Sequence, residues 1–191
     1  MNTTYGVLNN SSLIVDTDKL RENVRTILRS LPAGTKLIPV VKDDAYGMGM
    51  VGVARTLSAF PEIGCFAVAN VSEGVTLRRN GITSNIMVMN PEMTAFKTMF
   101  DYDLEPEVYS FRLLDALVQA ARREGITGYP VHIKLDTGMC RLGFNPLEDM
   151  DELIARLKAQ TAVIPRSVFS HFVAVSYTHL RAHETDQYLV C

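Results

Sequence analysis

Residues 37–49 read LIPVVKDDAYGMG, and the way this stretch turns from apolar to polar decides the fold. Leu37, Ile38, Val40 and Val41 make a short apolar run, the pattern of a strand buried on both faces in a parallel sheet covered by helices. The run stops at Lys42, and Asp43, Asp44, Tyr46, Gly47 and Gly49 follow as a polar, glycine-containing loop. Folds of the α/β class place their chemistry at the carboxyl ends of such strands. An ammonium held there and partly desolvated loses some preference for its charged form and can act as an amine nucleophile or base. A solvated lysine just past a strand is the plainer alternative. Tyr46 and the two glycines weigh against it, because they offer a hydroxyl and close backbone approach where an anion could dock.

Upstream, Leu20, Val24, Ile27, Leu28 and Leu31 recur at helical spacing, with Asp16 or Thr17 to cap the start and Pro32 with Gly34 to end it. Downstream the chain alternates. A helix is expected over about 49–60, then a strand over 65–69, a short helix from Ser72 to Asn80-Gly81, and a strand over 86–89. Pro91 opens a helix carrying Met93, Phe96 and Phe100, and a weaker strand over 104–109 is interrupted by Pro106. Ser110 caps a helix that turns Leu113, Leu114, Leu117, Val118 and Ala121 inward and ends at Gly125. A strand over 131–135, a helix with Leu147, Met150, Leu153, Ile154 and Leu157, and a last strand over 168–171 follow. Strands and helices at this spacing imply a parallel sheet of βα units. About six units are legible, where a closed (β/α)8 barrel needs eight over about 250 residues. Periodicity alone leaves both a truncated barrel and an open doubly wound sheet standing.

A second cluster, VHIKLDTGMCRLGF, spans residues 131–144. A strand ends at Asp136, and a turn with Gly138 delivers Arg141 beside the strand ends. Its fixed fork of donors suits a phenolate, carboxylate or phosphate. The plainer alternative is an Asp136–Arg141 pair that only closes the loop. A third element, Ser170-His171-Phe172, ends the last strand; a lone histidine there is more often a satisfied structural group. His132, His179 and His183 are read as non-functional.

Bulk properties set limits. The chain has 191 residues, a formal net charge of −2 and 47% hydrophobic residues, enough to bury a core as one domain or part of one. No basic excess suggests nucleic acid, and no apolar run is long enough to cross a bilayer. Residues 1–12 lack the cationic and apolar regions of a signal peptide. Cys65, Cys140 and Cys191 are scattered, without CxxC spacing, and read as reduced thiols of a cytoplasmic protein, with no metal site.

With these residues in view, the chain resembles the alanine racemases. VKDDAYGMG is similar to their pyridoxal-phosphate (PLP) lysine motif V-K-A-[ND]-A-Y-G-H-G, with Asp43 in place of alanine and Met48 in place of histidine. The second cluster is similar to their segment K-x-D-T-G-M-x-R-L-G, with Cys140 in the variable place, and Ser170-His171-Phe172 to their S/T-H-F segment. AVANVSEGVTLRRNGI resembles their second βα unit, so the likeness runs from about Leu13 to Phe172. The resemblance implies a PLP-binding (β/α)8 barrel, here truncated at about six of eight units over residues 1–175, with the family's C-terminal β-domain absent.

By the same resemblance Lys42 is the catalytic lysine that bonds PLP, and Tyr46, Arg141 and His171 also bind the cofactor. Arg141 lies near the phenolic oxygen and the substrate, and Lys134 falls on the lysine that some members carbamylate to orient that arginine. Unmodified, Lys134 and Arg141 would repel, and a carbamate would reverse that contact. Racemisation needs two bases, and the family takes the second, a tyrosine, from the C-terminal domain of a partner subunit. The implied parent is therefore a homodimeric enzyme that interconverts L- and D-alanine for peptidoglycan supply, and the isolated chain is expected to be inactive. Residues 176–191 read as a non-native tail, with no apolar face to bury. Two other readings stand: a sister barrel enzyme, another amino-acid racemase or a decarboxylase, told apart by its product; and a non-catalytic PLP carrier, which would lack a second domain.

Overall fold

The computed structural model describes residues 3–8 and 11–172, an α/β arrangement of parallel strands alternating with helices behind a short N-terminal hairpin. It divides into two compact units, residues 1–89 with 102–104, and residues 90–101 with 105–191.

In the first unit β1 (Thr3–Leu8) and β2 (Ser11–Val15) pair antiparallel, a hairpin that the polar N-terminal sequence does not announce. Helix α1 (Thr17–Ser30) starts where expected. The Asp16 side chain accepts the N–H groups of Asp18 and Lys19, both at 3.0 Å. Of its apolar stripe Val24 is buried, while Ile27 is half exposed. The run 37–41 corrects an expectation: it makes isolated parallel bridges, Leu37 to Ile63 and Val40 to Ala67, in place of a continuous strand. Pro39 has no N–H to give to a ladder, so pairing is intermittent. Nor are both faces buried, since Val41 is fully enclosed but Ile38 and Val40 are 43% and 40% exposed. After a one-turn element, α2 (Lys42–Tyr46), come α3 (Met50–Leu57), β3 (Cys65–Val68), α4 (Val71–Arg79) and β4 (Asn85–Val88). Strands β3 and β4 are parallel and in register from Cys65 with Asn85 to Val68 with Val88. Phe66, Val68, Leu77, Ile86 and Val88 are fully enclosed and form this unit's core.

In the second unit a short 3-10 turn (Met93–Ala95) leads into α5 (Phe96–Asp101). Strand β5 (Leu104–Val108) contributes residues 105–108, and α6 (Phe111–Arg123), β6 (Tyr129–Leu135), α7 (Met150–Lys158) and β7 (Val163–Ser170) follow. Parallel pairing joins β5 to β6 and β6 to β7. Ser110 accepts the Leu113 N–H at 3.3 Å and caps α6, whose five expected inward residues are all buried. Two expectations are corrected. Pro106 does not interrupt β5, which is buried along its whole length; pairing to β6 falls at Glu107 and Val108, past the residue without a donor. Leu147, counted with the next helix, precedes α7 and is 94% exposed. The last strand begins earlier than its apolar end suggests, and His171 follows it. Residues 176–191, with His179 and His183, lie outside the described residues. Among the described residues no helix is long and apolar enough to cross a membrane.

Candidate functional site

The candidate residues of the first unit lie on a turn of the wrong hand. Asp43, Asp44, Ala45 and Tyr46 all have φ between 53° and 56°, the left-handed region. Outside glycine this conformation costs about 1–2 kcal/mol per residue, somewhat less for aspartate, whose short polar side chain bonds locally. Backbone bonds close the turn on itself: Ala45 N–H to Val41 at 2.9 Å, Gly47 N–H to Asp43 at 3.1 Å, Gly49 N–H to Asp44 at 2.9 Å. Side chains then pin it from outside. Glu73 accepts the Asp43 N–H through one oxygen and the Ala69 N–H through the other, each at 2.7 Å. Asp44 accepts the Met50 N–H at 2.7 Å and so caps α3. The Ala45 methyl points into the core, 1% exposed. Lys42 enters the turn half-buried and Tyr46 leaves it 63% exposed.

The sequence does not single out Glu73. Its signal is the Asn70…Glu73 spacing of a helix capping box, and Asn70 does accept the Glu73 N–H at 3.0 Å. The carboxylate, however, reaches outward to the lysine turn.

The candidate residues of the second unit lie at the carboxyl ends of β6 and β7. The expected alternative of an Asp136–Arg141 pair is not realised. One oxygen of Asp136 accepts the N–H groups of Gly138 and Cys140, both at 3.0 Å, and these bonds hold its carboxyl below the usual carboxylate range. Arg141 is left exposed, with no hydrogen bond or salt bridge among the described residues. Gly143 explains the tightness of the return: at φ 135°, a Cβ there would stand 2.4 Å from the Asp136 nitrogen. Phe144 then bonds back to β6, its N–H to Lys134 and its carbonyl to the Asp136 N–H, both at 2.9 Å. Its ring is buried edge-on against Phe111, centroids 5.0 Å apart. Thr137 and Ser170 hydroxyls meet at 2.5 Å, fastening this turn to the end of β7, where His171 is exposed.

Beneath these ends a polar face runs through the sheet. His132 is a satisfied structural group, bonded by Nε2 to Glu105 at 2.9 Å and by Nδ1 to Ser167 at 2.7 Å. Arg166 pairs with the other oxygen of Glu105. One level higher, Lys134 is 7% exposed and its Nζ lies 3.4 Å from Oε1 of Glu107. Glu107 is fully buried, and among the described residues neither of its oxygens accepts a hydrogen bond. Burial pushes its carboxyl up to about 7, against the opposing pull of Lys134 and, more weakly, Arg141. The sequence reading passed over Glu105 and Glu107. Thus Lys42 and Tyr46 share one turn of the first unit, while Lys134, Arg141 and His171 gather at one end of the second.

Comparisons with known proteins point to the alanine racemases. The family model described as alanine racemase, N-terminal domain, matches residues 15–190. Alanine racemase 1 of Clostridium acetobutylicum is 37% identical over 161 residues, 83% of this chain and 40% of that protein. The alanine racemase of Pectobacterium atrosepticum is 35% identical over 184 residues, 95% of this chain and 48% of its own length. Among solved structures, alanine racemase of Clostridium difficile 630 superposes with a TM-score of 0.76 at 34% identity, over 81% of this chain and 40% of that one. The enzyme from E. faecalis gives 0.81 at 29% identity, over 89% and 46%. The chain therefore spans less than half the length of these relatives, and its strands and helices are those of a partial barrel. By its sequence, its fold and the order of its motifs, the chain belongs to the alanine racemase family, whose N-terminal domain it matches.

Proposed function

We propose that this chain is the cofactor-binding part of a racemase that interconverts L- and D-alanine, working in the cytoplasm as a homodimer and supplying D-alanine for peptidoglycan. The observation that carries this reading is the lysine turn: Lys42 opens a strained loop that is fixed in one shape by Glu73 and Asp44. Such fixed strain is characteristic of sites that must hold a ligand in one pose.

Alanine racemases are PLP-dependent enzymes. Each of these donors suits that cofactor: the Lys42 amine its carbonyl carbon, the exposed Tyr46 hydroxyl its phosphate, and Arg141, with no hydrogen bond or salt bridge among the described residues, its phenolic oxygen. When bound, PLP supplies an electron sink for negative charge at a substrate α-carbon. Lys42 would hold it through Nζ and, once released, move a proton at that nitrogen on one face of the substrate. Tyr46 would anchor the phosphate. Arg141, left free by Asp136, would orient the phenolic oxygen and the substrate, and His171 would pack beside the ring. The proton on the opposite face needs a second base, which in this reading is a tyrosine of the partner subunit's C-terminal domain.

Borohydride reduction in the presence of PLP, followed by peptide mapping, should leave the pyridoxyl mark on Lys42. A mark on Lys36 or Lys134 would overturn the assignment. In a full-length enzyme carrying this segment the product decides the substrate: D-alanine supports the reading, whereas another D-amino acid or an amine points to a sister enzyme.

A further inference from the structure

Glu107 and Lys134 stand on neighbouring parallel strands, on the face that also carries Glu105 and His132. A fully buried carboxylate whose oxygens accept no hydrogen bond is costly unless a cation compensates it. Here the compensating cation is Lys134, 3.4 Å away, with Arg141 as a weaker second. The surroundings of the lysine point the same way. Its Nζ lies 5.8 Å from the centre of the Phe169 ring, an arrangement that attracts positive charge and repels negative.

We propose that Glu107 is the built-in anion of this site, holding Lys134 as an unmodified ammonium beside Arg141, so that no carbamate forms on Lys134. To form one, a neutral amine must attack the carbon of carbon dioxide, making an N–C bond and releasing a proton. A carboxylate beside the nitrogen stabilises the ammonium, which has no lone pair for that attack. The product would also be an anion lodged between a carboxylate and the negative face of an aromatic ring. A glutamate side chain needs no carbon dioxide to supply the charge, and it sets one negative group against both Lys134 and Arg141. The role of Arg141 toward substrate rests on the racemase reading; the state of Lys134 does not.

The test compares the chain with Glu107→Gln, each equilibrated with isotopically labelled bicarbonate above the pH range in which Glu107 titrates, and reads the carbamate carbon by NMR. The expected result is no carbamate resonance in the unaltered chain and one in Glu107→Gln that disappears when Lys134→Arg is added. A resonance in the unaltered chain that Lys134→Arg removes, or none in Glu107→Gln, overturns the proposal. Glu107→Met, apolar and of similar length, serves as the second variant should the amide disturb folding. In a full-length racemase carrying this segment, bicarbonate should raise the turnover of Glu107→Gln several-fold and leave the unaltered enzyme unchanged. If that enzyme makes no D-alanine at all, the racemase reading fails while the NMR result still decides the anion.

Discussion

One carboxylate oxygen of Glu73 accepts the backbone N–H of Asp43 at 2.7 Å, joining the first turn of α4 to the turn that opens with Lys42. The other oxygen takes the N–H of Ala69 at the end of β3, so a single side chain ties three segments of the first unit together. Replacing it strands two backbone donors. Glu73→Ala should cost about 1–2 kcal/mol in urea unfolding, since the part-buried Ala69 donor loses its acceptor while water can reach the exposed Asp43 donor. It should also weaken PLP retention on Lys42. A loss below about 0.5 kcal/mol would mean that water replaces the carboxylate without penalty.

Two glycines of positive φ should respond very differently to the same methyl group. At Gly143 a Cβ would meet backbone atoms of residues 135 and 136, which cannot swing aside. At Gly47, φ 85°, nothing lies within 4 Å. Gly47→Ala should therefore cost about 1 kcal/mol, the conformational penalty alone, and Gly143→Ala about 3 kcal/mol or more. Equal losses, measured by chemical denaturation, would contradict the close approach of residues 143 and 136.

Arg141 is exposed and forms no hydrogen bond or salt bridge among the described residues, so it contributes little to folding. In a full-length racemase bearing this segment, Arg141→Ala should lower turnover by about 10²–10³ while leaving the unfolding midpoint nearly unchanged. Activity within about twofold of the unaltered enzyme would reduce the arginine to a loop residue.

Glu107 makes the second unit sensitive to pH with a definite sign. Its carboxyl is raised from 4.5 to about 7, so between those values the folded chain keeps a proton that the unfolded chain has lost. The stabilising effect of that proton is fully present below about pH 4.5 and is lost as pH rises through about 7. The loss amounts to about 3 kcal/mol at most, by the free energy of a pKa unit. The charged groups opposing the shift are Lys134 and Arg141, while Glu105 and His132 share the same face. Stability measured from pH 4.5 to 7 should fall in the unaltered chain and stay flatter in Glu107→Gln. A parallel pair of curves would assign the dependence to other groups.

The sequence carried the alternation of strands and helices well, because apolar periodicity and caps are local: Asp16, Ser110 and Gly125 all act where their residue types predict. It misplaced burial where burial depends on neighbours. Ile38 and Val40 are as apolar as Val41, but they face outward where nothing in the unit covers them. It also passed over Glu107, since a charge in the segment LEPEV weakens a strand pattern. Only the register of β5 against β6 puts Lys134 beside it. The hand of the turn after Lys42 was equally hidden, because Asp, Ala and Tyr are ordinary right-handed residues until something outside the turn holds them otherwise.

That dependence on outside contacts orders events in time. Four consecutive left-handed residues have no tendency to nucleate by themselves, and Glu73, which holds them from outside and is itself bonded to Ala69, comes from segments that must already be in place. The turn should therefore close late in folding, after β3 and α4 have docked. Glu73→Ala would then speed unfolding and leave the folding rate almost untouched, the signature of a contact absent from the transition state. Until that late step, Lys42 is an ordinary amine on a loose chain, and its capacity to hold a cofactor in one pose arrives only with the finished fold.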